Sequence, residues 1–132
     1  MNKSKLYKLA KEMTNKSHSP YNHFLVGAVL VTSDGKLYTG CSVDNQGILS
    51  ICAERVAFVK TISEGKNQPK DFKYIIMAGR KDNSKEFIKT LPCGYCRQFM
   101  SEFVNPDFKI YYYDNGIHFL TMKDLLPYNF DL

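Results

Sequence analysis

The chain has 132 residues, 44% of them hydrophobic, and sets 18 basic against 13 acidic residues for a net charge of +5. That size suits a single domain over residues 1–132, able to bury roughly two-thirds of its unfolded surface. No apolar run approaches the roughly 18 residues of a membrane span. The lysines are scattered, with no arginine-rich stripe or interleaved aromatic platform, so membrane and polynucleotide partners are both disfavoured.

Residues 1–15 form a lysine-rich amphipathic stretch without the apolar centre of a signal peptide, which predicts a cytoplasmic chain with reduced thiols. A helix is expected from about Lys3 to Thr14, then a strand from Phe24 to Thr32 that is apolar almost throughout and so buried on both faces. Asp34-Gly35 is a hairpin signal returning the chain antiparallel through Lys36 to Cys41. Apolar residues recur at helical spacing over Ala53 to Ile62 and over Tyr95 to Phe103. Between these helices, Gly65 to Pro69 breaks the pattern, Phe72 to Ala78 reads as a buried central strand, and Gly79 to Lys89 as a polar surface loop. A strand from Phe108 to Tyr113, a turn at Asn115-Gly116 and a short helix near Thr121 to Leu126 complete the chain. Strands alternating with helices predict an α/β sandwich, with sites where helices start above strand ends.

The chemistry concentrates in two short elements, Cys52-Ala53-Glu54-Arg55 and Pro92-Cys93-Gly94-Tyr95-Cys96. Cys52, Cys93 and Cys96 offer three thiolates for one zinc ion, leaving a fourth position for water, and Glu54 stands beside them as a carboxylate able to carry protons. A lone Cys-x-x-Cys is weak, because redox pairs and zinc knuckles share it. A ligand-x-Glu element upstream of Pro-Cys-x-x-Cys is specific, being the arrangement of zinc nucleobase deaminases, and it predicts hydrolytic deamination with Glu54 as the general acid and base. Each cysteine cluster is expected to open a helix, whose N-terminal dipole favours thiolate over thiol. Three thiolates on a divalent ion make an anionic centre, and Arg55 and Arg97 are placed to offset it by donating hydrogen bonds to sulfur.

A second reading has Cys41 complete a closed all-cysteine zinc site that only stabilises the fold, although such a site has no use for the adjacent carboxylate. His18, His23 and His118 share no metal-ligand spacing.

Five blocks, in order along nearly the whole chain, resemble the small cytidine deaminases of pyrimidine salvage. They are Pro20 to Ala28, Tyr38 to Cys41, Cys52 to Ala57, Pro92 to Gln98 and Leu125 to Pro127. The resemblance implies a five-stranded mixed sheet flanked by helices as a three-layer sandwich, a homotetramer with one zinc per subunit, and conversion of a small pyrimidine nucleoside, cytidine or deoxycytidine, to its uridine product plus ammonia. It also implies that Phe24 packs on the pyrimidine ring, that the backbone N–H of Ala53 meets the ring carbonyl, and that Phe130 reaches a neighbouring subunit's site.

The stretch Gly40-Cys41-Ser42-Val43-Asp44-Asn45 departs from that family's sugar-binding pattern, with Ser42 in place of Asn and Asp44 in place of Glu. The loop before Cys52 is also shorter and reads Gln46-Gly47-Ile48-Leu49 where a tyrosine is usual. Blasticidin S deaminases, a sister family, shorten this loop too but lack an arginine after the glutamate. Deamination of a modified cytidine or such an antibiotic is therefore the alternative to cytidine itself.

Overall fold

The computed structural model describes residues 2–132. Helix α1 (Lys3–Met13) is followed by strands β1 (Phe24–Thr32) and β2 (Leu37–Cys41), helix α2 (Ala53–Ser63), strand β3 (Phe72–Lys81), helix α3 (Gly94–Ser101), strands β4 (Lys109–Tyr113) and β5 (Ile117–Thr121), and the one-turn helix α4 (Met122–Leu125). The strands form one sheet in the order β2-β1-β3-β4-β5, antiparallel except for the β3–β4 pair. The expected five-stranded mixed sheet flanked by helices is thus present.

Side chains alternate across a strand, and in β1 and β3 both alternate sets are apolar. Val29, Val31, Tyr74, Ile76 and Ala78 pack with Leu6, Tyr7 and Ala10 of α1 on one face. Ala28, Leu30, Ile75 and Met77 pack with Ala53, Ala57 and Phe58 of α2 and Met100 of α3 on the other. Two cores on one sheet produce the three-layer sandwich. Fully buried Phe58 stacks on Phe72 at 5.1 Å and meets the edge of Phe108 at 6.1 Å. Removing that ring should cost about 3–5 kcal/mol.

Two elements differ from the sequence reading. Strand β3 runs on to Lys81, because Gly79, Arg80 and Lys81 pair with Val26, Leu25 and Phe24. Their polarity suggested a loop, but the length of β1 decides where its partner ends. The fifth strand, β5, is implied by the resemblance alone, since the reading of the residues places no strand after Tyr113. Asn115 and Gly116 both have positive φ, 52° and 135°, in the three-residue loop 114–116, and Ile117 to Thr121 returns along β4 as an edge strand with His118 and Phe119 exposed. None of its residues is fully buried, which leaves such a strand without a strong apolar signature.

Helix α2 can sit close against β2 because residue 40 is glycine. A Cβ there would collide with the Ala53 carbonyl oxygen and stand 2.9 Å from the Ala57 nitrogen. This contact fixes the start of α2, and with it Cys52 and Glu54, relative to the sheet.

Candidate active site

Cys52 and Cys93 are the N-cap residues of α2 and α3, both with extended backbone, and neither uses its side chain to cap the helix. Their sulfurs are thereby free while standing at the positive ends of two helices. Cys96 lies in the first turn of α3, fully buried. The three sulfurs fall within 4.8 Å of one another, and Cys52 Sγ is 3.8 Å from Cys93 Sγ. Tetrahedral zinc with bonds of about 2.3 Å places its sulfur ligands about 3.8 Å apart. The donor set and its spacing therefore fit one zinc ion.

Cys41 is not part of this group. Its thiol faces the Lys16 carbonyl oxygen at 3.6 Å, so the closed four-cysteine reading fails. All four cysteines are free thiols.

The local charges act on these thiols in opposite directions. The Cys52 thiol is lowered to about 5, chiefly by its hydrogen bond with Cys96, with Cys93 and the Arg55 guanidinium adding to the effect against the cost of burial. Cys96 is pushed up by the same contact with Cys52, by burial and by the Glu54 charge. Glu54 is 2% exposed, and burial raises its carboxyl to about 7. Such a carboxyl can both take and return a proton near neutral pH.

The Arg55 guanidinium stands beside Cys52 and Cys96, which favour its charged form against the cost of burial. Its Nη2 donates to the Ser50 carbonyl at 2.9 Å and its guanidinium lies 4.3 Å from the centre of the Tyr95 ring, while its buried Nε meets no oxygen or nitrogen acceptor among the described residues. That orphaned donor beside an anionic centre is a further point of fit with a metal held by thiolates. Arg97 departs from expectation. Its Nε donates to the Pro92 carbonyl at 2.7 Å and its Nη1 to the Leu125 carbonyl at 3.2 Å. It ties the loop before Cys93 to the end of α4, because α3 turns residue 97 toward the Pro92 loop and α4.

A cavity of about 230 Å³ opens beside the cysteines, lined by Phe24, Ser42, Asp44, Cys52, Glu54 and Cys93 among others. A larger groove of about 590 Å³ between α1 and the end of β3 holds no cysteine and no buried carboxylate, so size alone does not mark the site. Ala53 is fully buried at the first position of α2 and can act only through its backbone N–H, one of those a helix start leaves unpaired. Phe130 lies outside this cavity, 66% exposed, its carbonyl accepting from Gln98 Nε2 at 3.2 Å.

The sequence model of the cytidine and deoxycytidylate deaminase zinc-binding region matches residues 1–112. The chain belongs to this deaminase family. A probable cytidine deaminase of Dictyostelium discoideum is 46% identical over 107 residues, covering 78% of this chain and 68% of that protein. A cytidine deaminase of Sporosarcina psychrophila is 33% identical over 130 residues, 96% of this chain and 90% of the relative. The crystal structure of cytidine deaminase from Burkholderia pseudomallei superposes with a TM-score of 0.87 at 34% identity, over 98% of this chain and all of that one.

Several lining residues of this deaminase-family pocket were not singled out from the sequence. Asn22, Ser50, Met77, Thr90 and Leu91 join the cavity wall. Thr90 and Leu91 directly precede the Pro92-Cys93 element, which is a usable signal. Met77 gave none, because a methionine in a buried strand reads as core.

Proposed function

We propose that this protein catalyses zinc-dependent hydrolytic deamination of cytidine and deoxycytidine, giving the uridine product and ammonia. The observation that carries this reading is the burial of Glu54, with its carboxyl raised to about 7, against three clustered thiols at one end of a cavity walled by Phe24. Relatives at 33–46% identity named as cytidine deaminases support the nucleoside over the antibiotic alternative.

Cys52, Cys93 and Cys96 would hold the metal, and zinc would supply the Lewis acidity that makes a water nucleophilic at neutral pH. Glu54 takes the proton of that water as it attacks C4 of the pyrimidine, and passes it to ring N3. Glu54 then takes the proton of the new C4 hydroxyl and gives it to the C4 amine; the C–N bond breaks to release ammonia as the C4 carbonyl forms, so one buried acid serves as base and then acid. Phe24 holds the ring flat against the pocket wall, and the Ala53 N–H, at the positive end of α2, receives the ring carbonyl oxygen. Arg55 stabilises the charged sulfurs.

The whole chain acts as one deaminase unit, in the cytoplasm, as a pyrimidine-salvage enzyme. Four free thiols agree with a reducing compartment, and no helix among the described residues is long and apolar enough to cross a membrane. A homotetramer accounts for the exposure of Ile48, Leu49, Tyr128 and Phe130, with Phe130 reaching a neighbouring subunit's pocket. Incubation of the zinc-loaded protein with cytidine, with Glu54→Ala as the blank, tests the reading. Ammonia release above the blank is expected, and release no greater than the blank from protein holding one zinc per chain would overturn it.

A further inference from the structure

Asp44 stands where the resemblance implies contact with the sugar, yet its carboxylate is already committed to the protein. Only 7% of the residue is exposed. Its Oδ2 accepts from the backbone N–H groups of Tyr21 at 3.0 Å and Asn22 at 2.8 Å, and its Oδ1 accepts from the Ser50 hydroxyl at 2.8 Å. The N–H of Asn45 adds to the hold on the charged form. A carboxylate offers about four acceptor positions, so little capacity remains for a ligand hydroxyl.

The groups it holds are those that place Phe24. Asn22, fixed by Asp44 through its backbone, accepts the Phe24 N–H on its side-chain oxygen at 3.0 Å. Between them His23 adopts φ 60°, a conformation that costs energy for a residue with a Cβ and persists only when its neighbours enforce it. On the other side, Ser50 leads to Cys52 two residues on. One carboxylate therefore couples the turn carrying the aromatic wall to the loop entering the metal site.

Ser42 is similarly engaged. Its hydroxyl accepts from the Val26 N–H at 3.0 Å and shares a hydrogen bond with the Ser17 hydroxyl, which itself donates to the Ser42 carbonyl at 2.7 Å. The Ser42 proton is thus directed away from the cavity.

We infer that Asp44 is a positioning residue that latches the Phe24 turn to the metal-site loop. This rests on the proposed cytidine deamination.

The latch is tested by a double-mutant cycle on KM for cytidine with the zinc-loaded protein. Absence of both binding and turnover of cytidine in the wild type would sink the deaminase reading, and the inference with it. Asp44→Asn should cost much less in a Phe24→Ala background than in the wild type, and additive effects would overturn it. Should Asp44→Asn fail to fold, Ser50→Ala, which removes one of the latch's bonds, takes its place in the cycle.

Discussion

Gly79 of β3 lies against the ring of Phe24. A Cβ on residue 79 would stand 3.0 Å from Phe24 Cζ and collide with the Thr90 hydroxyl, so the absence of a side chain there seats both pocket residues. Gly79→Ala should therefore displace the aromatic wall. We expect KM for cytidine to rise about 10-fold with zinc retained, since overpacking of this kind costs about 1–3 kcal/mol. Unchanged steady-state kinetics would show that Phe24 and Thr90 have room to yield.

Glu54→Gln keeps the shape of the side chain and removes its ability to exchange protons. Turnover should fall by roughly 10²–10⁴-fold, with zinc content and thermal midpoint close to wild type. Metal analysis alongside single-turnover kinetics separates this from loss of the site. Wild-type turnover in the variant would eliminate Glu54 as the proton carrier.

The metal cluster predicts a divided response among the four cysteines. Replacing Cys52, Cys93 or Cys96 by Ser should abolish stoichiometric zinc, whereas Cys41→Ser should retain one zinc per chain. Chelation should lower the melting temperature of the wild type and of Cys41→Ser alike. Retention of zinc in Cys96→Ser would remove that residue from the ligand set.

Arg55 is held between the Ser50 carbonyl and the Tyr95 ring while acting on two of the sulfurs. Arg55→Gln should weaken zinc binding by about 10–100-fold, read by competition with a chromogenic chelator. Arg97→Gln should have a smaller effect on zinc, because its guanidinium bonds run to backbone carbonyls of Pro92 and Leu125.

Asp44 also makes stability depend on pH. The Asn22 N–H, then the Ser50 hydroxyl, hold its carboxyl below the usual carboxylate range. A carboxyl depressed in the folded state contributes fully above its unfolded value of about 4 and loses that contribution as pH falls through the lower folded value. The gap in urea midpoint between wild type and Asp44→Asn should hold steady from neutral pH to about 5 and narrow below about 4. A gap that widens in acid would contradict the assignment.

The sequence by itself determined the features that are local. Metal ligands need particular atoms at short spacings, and Cys-x-x-Cys on a helix start meets that need wherever the helix lies. Glu54, two residues from Cys52, was legible for the same reason. So were β1 and the start of β3, because a strand buried on both faces must be apolar at every position. Only the tertiary structure decided what depends on partners distant in the chain. The reach of β3 to Lys81 follows from β1 beside it, β5 from its place at a partly exposed sheet edge, and the direction of Arg97 from α4. Asp44 shows the limit most plainly. Its identity suggested a ligand acceptor, and only the fold shows that residues 21, 22 and 50 donate to it.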